Sequence, residues 1–201
     1  MTLSGTPEFE FRRYDAEQAR AVRATVEEVY RDAYADAIAS GDPFDSPEQF
    51  MIRFDAYTGS GRGFDMVVAY LDGEPVGQTW GWPLGADTAW WRGLLEEPEP
   101  GFAEEDGTRT FALSEIMVRR RWTGQGAAHA LHNELLASRN EKRATLLVEA
   151  DNHTAHRAYK AWGWHRAGQL RPSWPDAPLF DVLVLPLPLG PSDVRRDARL
   201  A

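Results

Sequence analysis

Gly124 and Gly126 sit near the end of the stretch Val118-Arg119-Arg120-Arg121-Trp122-Thr123-Gly124-Gln125-Gly126-Ala127-Ala128. A strand pattern precedes this stretch and an amphipathic helical pattern follows it. Glycine lets the backbone approach a ligand with no Cβ in the way. The first N–H groups of a helix lack intrahelical acceptors, and the helix dipole adds partial positive charge there. Such a strand-to-helix corner suits a pyrophosphate or a similar anion, and Arg119, Arg120 and Arg121 can add charge-assisted contacts. A lone G-x-G also serves ordinary turns, so spacing must narrow the choice. A dinucleotide fold would want a third glycine where His129 stands, and no G-K-S or G-K-T exists for a nucleoside-triphosphate loop.

The elements that must position this corner follow from periodicity. Phe9 and Phe11 alternate with charged residues as a short strand. Asp15 and Gln18 form a capping-box pattern. Val22, Val26, Val29, Ala33 and Ala37 then predict one amphipathic helix that ends at Gly41. Ser46 followed by Pro47 predicts a second helix start. Gly59, Gly61 and Gly63 precede a strand rather than a helix and read as a linker. Asp72-Gly73 predicts a hairpin turn between strands at 66–71 and 76–82. Residues 110–118 form a fourth strand, 126–139 a helix and 145–149 a fifth strand. Ala155, Ala158, Tyr159 and Trp162 form another helical stripe, ended by Gly163. Residues 180–187 are a final strand, and 190–201 form a polar tail expected to fray. Strands alternating with helices indicate an α/β domain over residues 1–189, with no linker between domains.

Composition bounds the chemistry. The 201 residues carry 22 Lys and Arg against 31 Asp and Glu, a net charge of −9. That balance lacks the footprint of a general nucleic-acid binder. It attracts cations such as protonated amines, or simply keeps the chain soluble. With no cysteine, thiolate nucleophiles, disulfides and cysteine-ligated metals are excluded. Residues 182–189, the longest apolar stretch, are far too few to span a membrane. Residues 1–10 show no basic or long apolar block, so a cytoplasmic protein is expected.

A second motif agrees with the first. Asn152-His153-Thr154-Ala155-His156-Arg157-Ala158-Tyr159-Lys160-Ala161-Trp162-Gly163-Trp164 resembles motif B of the GCN5-related N-acetyltransferases, the GNAT superfamily, whose pattern is N-x-x-A-x-x-x-Y-x-x-x-G-aromatic. Arg121, Gly124 and Gly126 match that family's motif A, R-x-x-G-x-G-A. The close match covers residues 115–164, and the element order extends it to 9–187. Many members carry Pro where Arg120 stands and Arg where Thr123 stands. Thr123 lacks that charge but offers a hydroxyl to a phosphate oxygen.

The resemblance implies a GNAT-like mixed central sheet flanked by helices, with splayed fourth and fifth strands. It implies acetyl transfer from acetyl-CoA to an amine of a small molecule or peptide, by direct attack in a ternary complex. Ile116, Met117 and Val118 would pair with the pantetheine arm. Arg121, Thr123 and the amides of Gly124, Gln125, Gly126, Ala127 and Ala128 would hold the pyrophosphate, and Asn152 and Tyr159 would contact coenzyme A. A homodimer is in keeping with the family.

Tyr159 is a candidate acid for the departing thiolate, since a phenol near pKa ~10 can protonate a thiolate near ~8.5. It lies on an apolar stripe, so a core role is the alternative. Asn152 can cap its helix, touch coenzyme A, or do both. Glu115 on the fourth strand is the candidate base that frees the amine of its proton; alternation leaves its direction open, and a surface carboxylate is the alternative. Ser114 is a weaker candidate. His129 with His132, and His153 with His156, are i, i+3 pairs inside the motifs with no third ligand, so no metal is expected. The loop 83–107, with Trp90, Trp91 and then Glu96, Glu97, Glu99, Glu104, Glu105 and Asp106, can wall an acceptor site or pack the core. Two other classes compete: a non-enzymatic acyl-CoA sensor on the same fold, and an interaction protein that docks a partner through this loop.

Overall fold

The computed structural model describes residues 8–173 and 177–190; the tail beyond Gly190 lies outside them. Seven strands form one sheet in the order β1-β2-β3-β4-β5-β7-β6. They are β1 (Glu10–Asp15), β2 (Asp65–Leu71), β3 (Glu74–Pro83), β4 (Thr110–Val118), β5 (Arg143–Glu149), β6 (His165–Leu170) and β7 (Phe180–Pro186). Neighbours run antiparallel except β4 and β5, which run parallel. The helices are α1 (Ala16–Ala21), α2 (Arg23–Ala33), α3 (Ala35–Ser40), α4 (Pro47–Gly59), α5 (Ala127–Leu136) and α6 (His153–Ala161).

The sheet separates two apolar clusters, so the central strands bury both faces and read as continuous apolar runs. On one side Val26, Val29 and Tyr30 of α2 and Phe50 and Phe54 of α4 meet Met66, Val68 and Trp80. On the other, Leu131, Leu135 and Leu136 of α5 meet Val67, Phe111, Leu113 and Trp164.

Capping forms as expected. Asp15 accepts from the Gln18 amide at 2.9 Å, and the Gln18 side chain accepts in return from Asp15. Ser46 accepts from the Gln49 amide at the start of α4. The single helix expected from the Asp15 cap to Gly41 is broken into three segments instead, α1, α2 and α3. ψ opens to 23° at Val22 and 21° at Tyr34. The bends keep Val22, Val29, Ala33 and Ile38 packed on one core.

The splay is read directly from the pairing. β4 meets β5 only at Thr110↔Arg143, Phe111↔Ala144 and Ala112↔Thr145. Beyond Ala112 the β5 side of β4 has no strand partner among the described residues, while β3 pairs with β4 through Val118. A bulge interrupts that second ladder, because Trp80 pairs with Glu115 and Gly81 with Leu113, which leaves Ser114 as the extra residue.

The loop after β3 is packed into the fold. Trp91 is buried and its Nε1 donates to Glu105 at 3.0 Å. Glu105 also accepts from Thr110 and pairs with Arg143. Leu94 bridges to Leu170, and the Leu95 amide donates to Gln169, so the loop covers part of the β6 edge.

Candidate active site

One 3₁₀ turn and two glycines shape the corner between β4 and α5. Arg120–Trp122 forms a 3₁₀ turn, and Gly124 and Gly126 follow with φ of +76° and +85°. L-residues with a Cβ strongly disfavour that left-handed region. A Cβ at either position would meet no atom within 4 Å, so the space before the turn is open. Gly126 is the N-cap of α5 and no side chain caps the helix. The amides of Gly124, Gln125, Gly126, Ala127 and Ala128 therefore donate to no acceptor among the described residues. Five consecutive unpaired donors at a helix start fit a diphosphate. The adjoining free edge of β4, at Ile116, Met117 and Val118, fits an extended amide-rich chain. These residues thus fit coenzyme A.

The three arginines are placed differently from the sequence expectation. Arg119 is largely buried and bonds Glu28 and Glu74, with Asp32 3.6 Å away. Arg120 pairs with Asp36, and its amide donates to Asp32. Arg121 pairs with Glu74. The acidic residues that engage them come from α2, α3 and β3, so these cations also fasten the corner to the opposite layer. The Thr123 hydroxyl donates to the Arg120 carbonyl at 2.8 Å, which spends its proton inside the 3₁₀ turn. Asn152 caps α6, accepting from the Ala155 amide at 3.1 Å.

Glu115 faces the α2–α4 layer. Cross-strand partners share a face, and its partner Trp80 lies in that cluster. The carboxylate sits deep in the protein yet still touches solvent, and no hydrogen bond reaches it among the described residues. Burial pushes its pKa up to about 7, against a small opposing pull from Arg53. Four tyrosines feel its charge: Tyr30 of α2, Tyr34 at the α2–α3 bend, Tyr57 of α4 and Tyr159 of α6. Burial, with Glu115 as a further cause, holds the Tyr159 phenol well above its ordinary value, so it stays protonated. Tyr57 packs at a tilt on Trp82, with centroids 4.7 Å apart, and lies beside Ser114. Glu115 and Ser114 are neighbours on β4, and the Glu115 charge reaches Tyr159 of α6. Tyr30, Tyr34, Tyr57 and Arg53 complete the surroundings. Sequence reasoning misses these four; the i, i+4 spacing of Tyr30 and Tyr34 is the one available signal.

The buried His132 has its ring committed to the core. Nε2 accepts from Trp164 Nε1 at 2.9 Å, and Nδ1 meets the Asn133 Oδ1 at 2.9 Å. Since the indole only donates, the His132 proton belongs on Nδ1.

Known proteins place this geometry. No curated protein sequence matches the chain. Among solved structures, an acetyltransferase from Thermus thermophilus superposes with a TM-score of 0.62 at 15% identity, over 90% of this chain and 99% of that one. The ribosomal-protein-S18-alanine N-acetyltransferase of Escherichia coli gives 0.59 at 15%, over 91% and 96%. The yncA protein of Salmonella typhimurium, solved with its cofactor acetyl-CoA, gives 0.54 at 14%, over 90% and 95%. At such identities the likeness is one of fold. The model of the Acetyltransferase (GNAT) family matches residues 25–164, more than half of the sequence and both motifs. This chain belongs to the GNAT acetyltransferase family, whose co-substrate is acetyl-CoA.

Proposed function

We propose that the protein is an N-acetyltransferase that acylates the amine of a small molecule or peptide by direct attack. The observation that carries this reading is the row of five unpaired amides at the start of α5 beside the unpartnered edge of β4, on the strand that carries Glu115. When bound, acetyl-CoA supplies the acetyl group and a thiol leaving group. The amides of residues 124–128 hold its pyrophosphate, with Arg121 nearby, and the β4 edge at Ile116, Met117 and Val118 orients its arm. Asn152 keeps its amide donors free for the same ligand while its oxygen caps α6.

Glu115 takes a proton from the acceptor amine. An alkylammonium near pKa ~10.4 is only about one part in two thousand neutral at pH 7. A carboxylate whose pKa is about 7 is a far better base than an ordinary one, and such a base contributes ~10²–10⁴-fold. Tyr159, neutral in the same pH range, delivers a proton from its phenol oxygen to the departing sulfur. A backbone N–H of β4 near Val118 can stabilise the oxyanion.

An acceptor screen with acetyl-CoA, read as free thiol, tests this. Amine-dependent thiol release, lost in Gly126→Glu together with the acetyl-CoA melting shift, is the expected result. A melting shift without thiol release across the panel would leave a sensor instead of an enzyme. No melting shift at all would remove the cofactor site.

A further inference from the structure

Arg53 of α4 stands at one end of an aromatic stack whose other end borders the catalytic gap. Its Cζ lies 4.0 Å from the Phe44 ring centroid and 5.9 Å from that of Phe50. Phe50 stacks on Tyr30 at 3.7 Å, and Tyr30 on Tyr34 at 4.9 Å. Phe50 also packs 5.9 Å from Trp80, the cross-strand partner of Glu115. Among the described residues, no carboxylate lies within the 4.0 Å ion-pair distance of Arg53. Asp45, which also faces Tyr30 and Tyr34, stays outside that range. One Nη1–H bonds the Phe44 carbonyl at 2.9 Å, and the guanidinium faces the Tyr30 hydroxyl. A guanidinium has five N–H donors, so one edge of its fork remains for a ligand. Stacking on Phe44 fixes the plane of that fork, and a fixed fork matches a carboxylate bidentately.

We propose that the acceptor carries a carboxylate as well as its amine, with Arg53 holding the carboxylate while Glu115 receives the amine proton. This deepens the transferase reading and rests on it. A cation at Arg53 and an anion at Glu115, both half-buried in one aromatic-lined region, match a zwitterion. They oppose a polyamine, whose second charge would face Arg53. The Arg53 charge also acts on Glu115, Tyr57 and Tyr30, in keeping with the contacts from Arg53 through Phe50 and Trp80 to the Glu115 position.

The test uses the full chain with matched acceptors: tyrosine, tyrosinamide and tyramine, with similar triplets from other amino acids. Hydrogen bonds between charged groups imply that the carboxylate member is preferred in kcat/KM by roughly 10–100-fold. Arg53→Met should erase the preference by raising the acceptor KM, with the KM of acetyl-CoA and the melting temperature held. Arg53→Lys keeps the charge without the fork and should retain an intermediate preference. Equal or better turnover of the amide or the bare amine across all triplets overturns the proposal, as does a preference that survives in both variants. No thiol release with any acceptor of the panel would instead sink the transferase reading. Melting shifts then decide the Arg53 assignment: a shift with the carboxylate ligand, lost in Arg53→Met, supports it, and no shift in the wild type overturns it.

Discussion

Replacing Glu115 by Gln should make the protein more stable and nearly inactive, with the stability gain confined to neutral and alkaline pH. Burial raises the carboxyl from its ordinary value of 4.5 to about 7. Between those values the native state holds the Glu115 proton more tightly than the unfolded chain does. Wild-type stability must therefore fall as pH rises through that window, because stability rises with pH only where the unfolded state binds more protons. A tenfold change in proton affinity is 1.36 kcal/mol, so the full penalty is about 3 kcal/mol once the carboxylate is ionised in both states. Glutamine has the same shape and cannot ionise. Urea unfolding of both proteins should show a small, constant offset near pH ~4.5 and a gap that widens to about 3 kcal/mol by pH ~8. For a chain of this size that gap is roughly 6–10 °C in melting temperature. In the same variant kcat should fall by ~10²–10⁴-fold, while the melting shift with acetyl-CoA persists. A gap independent of pH, or one that closes as pH rises, would show that Glu115 is not held in a desolvated site, and the base assignment would go with it.

Other outcomes follow from the same geometry. Tyr159→Phe should keep acetyl-CoA affinity and lower kcat by ~10²-fold or more, as measured by steady-state kinetics; unchanged turnover would remove Tyr159 from proton transfer. Gly126→Glu forces a side chain into the left-handed region and sets a carboxylate before the free amides, so the acetyl-CoA melting shift should vanish; a normal shift would refute the corner assignment. Asn152→Ala should cost about 1 kcal/mol from the lost cap, and a simultaneous rise in the KM of acetyl-CoA separates ligand contact from capping alone. Trp164→Phe removes the indole donor to His132 Nε2, so unfolding free energy should drop by about 0.5–1.5 kcal/mol from that hydrogen bond; a loss near zero would mean that the Trp164–His132 bond does not form in solution.

The cofactor corner is legible in the sequence because its chemistry is local. Gly124, Gly126 and the bare start of α5 lie within a few residues, and their meaning depends on no distant partner. Glu115 is legible as a candidate but not in its direction. Strict alternation from Leu113 would place it on the α5–α6 side, and the bulge at Ser114 turns it to the other side. A bulge depends on cross-strand pairing, which one strand's sequence does not reveal. The acceptor surroundings are illegible for a related reason. Tyr30 and Tyr34 come from α2 and its C-terminal bend, Arg53 and Tyr57 come from α4, and their convergence depends on how these two helices, far apart in sequence, pack together. β6 escapes the pattern reading too, since His-Arg-Ala-Gly-Gln-Leu shows no apolar alternation. Pairing with β7 and cover from Leu94 and Leu95 make it a strand. The tryptophans of the long loop have two readings, and the buried Trp91 with its bond to Glu105 favours the packing one.

Amide hydrogen exchange with and without acetyl-CoA probes the account at its root. The N–H groups of Gly124, Gln125, Gly126, Ala127 and Ala128, which have no acceptor among the described residues, should exchange freely in the unliganded protein and become strongly protected when the ligand is added. Protection that appears elsewhere while these five remain fast would contradict it.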